Sequence, residues 1–219
     1  EPAAVVIDNG TGYSKMGYAG NMEPSYLIPS VIAKGINKVS VWTAQLSLET
    51  SGLVGQGNFK NPELDFYIGD EALKYGKTHD ISYILSGGQI RDWEGIEKYW
   101  HRSIYSYLRC EPEQHRFILT EPPMNTPENR EQIAEIMFET FNVKGYLLSV
   151  SYPGSVRQIA GVEKESTQDQ NLANVQMSDM TGTVIDSGDG VTHVFPVADG
   201  FVIGSCVKHI PLAGRDITK

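Results

Sequence analysis

One short pattern occurs twice in this chain and limits what it can fold into. Val6–Gly12 reads VIDNGTG and Val184–Gly190 reads VIDSGDG. Aligned, Val6 pairs with Val184, Ile7 with Ile185, Asp8 with Asp186, Gly10 with Gly188 and Gly12 with Gly190. Each copy is a short apolar strand ending in an aspartate and two glycines. Each is followed by a second apolar stretch, Met16–Ala19 or His193–Val197, so each reads as a hairpin. A Gly-x-Gly turn takes positive φ and brings backbone N–H groups to a ligand with no Cβ in the way. Successive N–H groups in such a turn form a concave nest for anions, phosphate above all. An aspartate at the strand end suits a hydrated Mg²⁺, which keeps most of its waters and takes few carboxylates. A single D-x-G-x-G is ordinary turn chemistry; two copies behind the same strand point to a clamp that grips one polyphosphate from both sides.

The remaining composition narrows the partner. The chain has 219 residues and a net charge of −9. No Lys/Arg cluster appears, which argues against duplex nucleic acid or an anionic membrane surface as the main partner, so any phosphate binding must be local. No apolar run approaches the ~18 residues of a membrane helix. Cys110 and Cys206 lack metal-type spacing and read as reduced thiols of a cytosolic protein.

In chain order, Ala3–Ile7 is a strand that delivers Asp8, and Lys15 lies just past the turn, where its ammonium reaches a phosphate oxygen. Residues 33–60 are rich in Gly, Ser, Asn and Thr and read as an exposed loop or insertion, with Val39–Trp42 its best strand. Leu64–Ile68 is a strand, followed by a turn into a short helix at Gly69–Leu73. Asp92 caps a helix running to Cys110, with Ile96, Tyr99, Trp100, Ile104, Tyr107 and Leu108 on one face. Phe117–Leu119 is a strand that enters a turn at Thr120–Pro123. A second helix starts with Thr126 as N-cap, Pro127 at its first position and Glu128 in the first turn, and buries Ile133, Ile136, Met137 and Phe141. Strands alternating with helices predict an α/β protein with a mixed sheet.

Asp8–Asn21, DNGTGYSKMGYAGN, resembles the first phosphate loop of the actin superfamily, and Asp186–His193, DSGDGVTH, resembles its second. Longer strings, LDFYIGDEAL (Leu64–Leu73), Tyr107–Val143 and Thr181–Thr218, are similar to the actin-related proteins within it. The resemblance implies an actin-like ATPase (ribonuclease H-like) fold, α/β with a mixed sheet and flanking helices, with ATP and Mg in a cleft. Carried over, Asp8 and Asp186 face the metal through water. Gly10, Thr11, Gly12, Tyr13 and Lys15, with Gly188, Asp189, Gly190 and Val191, hold the phosphates, and His193 orders the attacking water. The GRDIT motif at residues 214–218 sits between the lobes.

The resemblance also implies a cytoplasmic, cytoskeletal role. The chain would be a nucleotide-binding structural subunit of the complex that nucleates branched actin filaments, hydrolysing ATP slowly at most. A second actin-related subunit, the other subunits of that complex and the actin filament would be its partners. The alternatives are a protomer that forms filaments by itself and a non-functional fragment of an actin-fold protein. A sugar kinase or chaperone of the same superfold would need a sugar pocket or peptide-binding domain that the sequence does not show.

Departures from the family are confined to particular places. Gly87 stands where the family has a histidine, and Ser151 where it has a glutamine that positions water. Pro153 and Gly154 interrupt what the family makes a helix, at ~3 and ~1 kcal/mol. The expected division is therefore a first lobe over 1–143 with a loop or insertion at 33–60, a divergent segment over 144–180 that is disordered, mis-read or a true insertion, and the second hairpin with the start of the second lobe over 181–219. Beginning without Met and stopping just after GRDIT, the chain reads as the first lobe plus the first hairpin of the second.

Overall fold

The computed structural model describes residues 2–35, 66–150, 181–199 and 201–218. Its central feature is a five-stranded mixed sheet. β1 (Val5–Asn9) and β2 (Tyr13–Tyr18) form the first hairpin, with Asp8 opposite Lys15, and β2 continues antiparallel to β3 (Tyr26–Pro29). β4 (Val31–Gly35), β5 (Phe66–Ile68) and β6 (His79–Tyr83) make a separate three-stranded sheet capped by helix α1 (Gly69–Lys74). A two-residue-per-strand hairpin, β7 (Leu85–Ser86) and β8 (Gln89–Ile90), leads to helix α2 (Trp93–Arg102). β9 (Arg116–Glu121) returns to pair parallel with β1, and helix α3 (Pro127–Glu135) carries the chain to β10 (Gly145–Val150), parallel to β9. The sheet order is thus β10-β9-β1-β2-β3.

Both helices start where their caps predict. The Asp92 carboxylate accepts from the Gly95 N–H at 2.8 Å, and the Thr126 hydroxyl accepts from the Asn129 N–H at 3.3 Å. Beyond Arg102 the helix widens to π geometry over Ser103–Leu108 and stops at Arg109, whose φ is 52°. α3 does the same over Ile136–Thr140. The predicted apolar faces meet under the sheet. Ile96, Tyr99, Trp100, Ile104, Ile133, Met137 and Phe141 pack with Val5, Ile7, Phe117 and Leu119 in one core. Tyr107 is only partly buried and lies against that core.

The second hairpin is β11 (Gly182–Ser187) and β12 (Thr192–Ala198), with Asp186 opposite His193. β13 (Phe201–Val202) and β14 (Lys208–Ile210) both pair with β12. Helix α4 (Gly214–Thr218) follows. Val184, Phe195 and Val197 form the small core of this sheet.

Two expectations need correction. Residues 33–35 belong to no exposed loop: Ala33 is fully buried in β4, between β5 and β6. The loop expected up to Lys60, with Val39–Trp42, otherwise lies outside the described residues. Likewise the segment expected to diverge from 144 onward opens with a regular strand, β10, whose six residues pair in register with all of β9. Ser151, Pro153 and Gly154 lie outside the described residues.

Candidate functional site

The first turn is closed by the Gly10 N–H donating to the Tyr13 carbonyl at 3.1 Å, and the second by the Gly188 N–H donating to the Val191 carbonyl, also at 3.1 Å. In both turns a neighbouring segment then ties down the carbonyls. Ser30 donates its hydroxyl to the Gly10 carbonyl at 2.7 Å and its N–H to the Gly12 carbonyl at 2.9 Å. The start of α4 does this for the second turn, with Gly214 N–H donating to Gly188 at 3.0 Å and Arg215 N–H to Asp189 at 2.9 Å. With the carbonyls held, the N–H groups of Thr11, Gly12, Asp189 and Gly190 take no hydrogen bond among the described residues, and all four residues line one cleft. Backbone donors seldom stay unpaired in a folded protein, so water or a ligand must satisfy them.

The two turns touch, and they do so reciprocally. A Cβ on Gly12 would lie 2.9 Å from the Asp189 side chain, and a Cβ on Gly190 would lie 2.5 Å from the Thr11 methyl. Since Gly12 corresponds to Gly190 and Thr11 to Asp189, each turn lays its second glycine against the same position of the other. Glycine is required at both places by close approach rather than by φ.

Around this junction is a cleft of about 360 Å³. All twelve residues singled out in the sequence line it: Asp8, Gly10, Thr11, Gly12, Tyr13, Lys15, Asp186, Gly188, Asp189, Gly190, Val191 and His193. One carboxylate oxygen of Asp8 accepts from the Thr120 hydroxyl at 2.6 Å, and the other lies 3.3 Å from the Lys15 ammonium. Asp186 is exposed at the cleft wall. His193 is buried, with Nε2 3.2 Å from Nδ1 of His209. Burial first, and His209 second, hold its imidazole below the usual 6.5, against an opposing pull from Asp186. Asp189 receives the Arg215 guanidinium at 2.6 Å, and that guanidinium lies 4.1 Å from the centre of the Tyr83 ring at the end of β6.

This donor set fits a metal-bound polyphosphate. Free amides in two glycine turns supply an anion nest, and Lys15 adds a cation. Among the described residues no cluster of three His, Cys, Asp or Glu exists to cage a bare metal ion. Two carboxylates beside an anion nest instead match Mg²⁺, which keeps waters and shares its shell with phosphate oxygens.

The sequence reading missed several cleft residues: Asn9, Gly88, Thr120, Glu121 and Pro122. Thr120 and Glu121 could have been found, since ligands in open α/β sheets bind beyond the carboxyl ends of parallel strands, and these two end β9. Gly88 gave no signal; its N–H donates to the Thr11 hydroxyl at 3.1 Å from a hairpin of two-residue strands.

The actin family model matches residues 1–219, the whole sequence. The chain belongs to the actin family. Its mixed sheet with flanking helices is accordingly an actin-like fold. This actin-family chain is 50% identical to actin-related protein 3 of Dictyostelium discoideum over 215 residues, covering 98% of the chain and 46% of that protein. It is 51% identical over 216 residues to actin-related protein 3 of Caenorhabditis elegans, covering 98% and 47%. Against actin-related protein 3 of Saccharomyces cerevisiae it is 45% identical over 242 residues, covering 98% and 52%. The chain spans about half the length of these relatives, and the similarity marks it as an actin-related protein. No helix among its described residues is long and apolar enough to cross a membrane.

Proposed function

We propose that this actin-related chain binds ATP with Mg²⁺ in the cleft as a conformational ligand. We further propose that it serves as a subunit of the cytoplasmic complex that nucleates branched actin filaments. The observation that carries the nucleotide reading is the reciprocal contact of two glycine turns whose carbonyls are tied back and whose N–H groups are free. The role in nucleation is supported by the similarity to actin-related protein 3 over nearly all of the chain. Its partners are then actin-related protein 2, the other subunits of that complex and the actin filament.

In this reading Thr11, Gly12 and the Lys15 ammonium hold phosphate oxygens from one side, and the backbone of Asp189, Gly190 and Val191 holds them from the other. Asp8 and Asp186 would hold the metal through water. Mg²⁺, when bound, supplies charge neutralisation of the phosphates. His193, kept neutral near pH 7 by burial, would orient a water through its ring; Nε2 already faces His209 Nδ1 at 3.2 Å, which leaves Nδ1 for that water. The protein uses nucleotide mainly to fix the two hairpins against each other, and turnover is slow.

The test is twofold. Intact protein should bind a fluorescent ATP analogue in a Mg²⁺-dependent manner and co-assemble with actin-related protein 2. Absence of nucleotide binding refutes the cleft reading. Sedimentation of the protein alone as filaments with Mg-ATP would favour a self-assembling protomer.

A further inference from the structure

Four carboxylates line the cleft, those of Asp8, Glu121, Asp186 and Asp189, against the single ammonium of Lys15. A polyphosphate is itself an anion, so a cleft that takes one must offset each of these charges. Asp8 and Asp186 are the pair that the nucleotide reading gives to the metal. Glu121 is matched by Arg130 of α3, which lies outside the cleft lining and makes a two-pronged bond, Nε to Oε2 at 2.7 Å and Nη2 to Oε1 at 3.0 Å. Asp189 remains, and it stands among the free donors. Its own N–H and that of Gly190 take no hydrogen bond among the described residues. The first turn carries the neutral Thr11 at the equivalent position; the second carries a carboxylate.

Arg215 meets Asp189 twice. Its backbone N–H donates to the Asp189 carbonyl at 2.9 Å, and its Nη2 donates to Asp189 Oδ2 at 2.6 Å. The Tyr83 ring, centred 4.1 Å from the guanidinium carbon, gives the cation a further contact. Like Arg130, Arg215 does not itself line the cleft. The Arg215 and Asp189 side chains are 32% and 37% exposed, so in the open cleft water screens the pair and it adds little to folding. A bound polyphosphate displaces that water, and the lower effective dielectric magnifies any unmatched charge beside it. The pair therefore matters most when the cleft is occupied.

We propose that Arg215 is a positioning residue for polyphosphate binding: by holding and neutralising the Asp189 carboxylate, it makes the second glycine turn receptive to an anion. This rests on the nucleotide reading above and adds to it a residue that acts through Asp189 rather than on the ligand. A purely structural Arg215 would fix the shape of the turn and nothing more. The two roles separate cleanly, because the backbone bond from Arg215 to the Asp189 carbonyl survives any change of side chain, and because only the charge role depends on the Asp189 carboxylate.

The test is a double-mutant cycle on the intact protein, titrated with a fluorescent ATP analogue in Mg²⁺: wild type, Arg215→Met, Asp189→Asn and the two combined. Arg215→Met should weaken binding roughly tenfold beside the native Asp189, and by less than about threefold in the Asp189→Asn background, where no carboxylate is left to neutralise. Arg215→Gln gives the same comparison should the methionine variant not fold. Arg215→Met that binds ATP as tightly as the wild type overturns the proposal. A loss of equal size in both backgrounds also overturns it, since it assigns Arg215 to the shape of the turn alone. Either result leaves the nucleotide reading standing. A wild type that does not bind ATP with Mg²⁺ overturns both.

Discussion

Replacing Gly190 by alanine places a methyl group 2.5 Å from the Thr11 methyl, 3.0 Å from its Cβ and 3.1 Å from its hydroxyl oxygen. Carbon atoms rest at about 3.5–4.0 Å, so the two turns must separate by roughly 1 Å or distort. Thr11 cannot swing away freely, because it is 7% exposed and its hydroxyl accepts the Gly88 N–H. Overpacking of this kind costs ~1–3 kcal/mol. Because the strain is relieved by opening the junction between the hairpins, it should fall on ligand affinity, lowering it by roughly 5- to 150-fold at 1.4 kcal/mol per tenfold. Gly182→Ala is the control: nothing lies within 4 Å of its Cβ position, and its melting temperature and ATP affinity should match the wild type. The assay is equilibrium titration with a fluorescent ATP analogue beside a thermal melt. If Gly190→Ala bound ATP as tightly as Gly182→Ala and melted at the same temperature, the reasoning from turn contact to clamp would be wrong.

Other perturbations separate structural from ligand-binding roles. Lys15→Ala should change stability by less than ~0.5 kcal/mol, since its pair with Asp8 is exposed, yet weaken ATP about tenfold through a lost charge-assisted contact; unchanged affinity removes Lys15 from the site. Arg130→Ala leaves the carboxylate of Glu121 nearly buried without its main partner, and a denaturant titration should show a loss of ~1–2 kcal/mol, discounted because Arg130 is itself 44% exposed. Thr126→Ala removes the α3 N-cap and should cost ~1 kcal/mol with ATP affinity unchanged. For His193, folding lowers the imidazole below its ordinary 6.5, so the unfolded chain takes up the proton first as pH falls. This contribution is complete above about pH 6.5 and is lost on acidification. The melting temperature should therefore drop between pH 7.5 and 5.5 and do so less in His193→Gln; equal slopes would contradict the burial argument.

Much of the site was legible because its logic is local. An apolar strand, an aspartate and two glycines are adjacent in sequence, and their repetition at a fixed offset made the pair visible. The helix at Trp93–Arg102 was legible for the same kind of reason, in its Asp92 cap and its i, i+3, i+4 apolar face. What escaped depends on chain reversal over long distances. Thr120 reaches Asp8 only because β9 inserts parallel to β1, bridging 112 residues. β4 was absorbed into a polar stretch because Lys34 and Gly35 end its apolar run, while Ala33 draws its burial from β5 and β6. β10 was passed over because a short apolar run does not distinguish strand from helix, and its pairing with β9 decides the matter.

The central claim is that two separate turns act as one clamp on a polyphosphate. Amide hydrogen exchange of the intact protein, with and without Mg-ATP, addresses it directly. The N–H groups of Thr11 and Gly12 and those of Asp189 and Gly190 should gain protection together. Protection confined to one turn, or absent from both at saturating Mg-ATP, would contradict it.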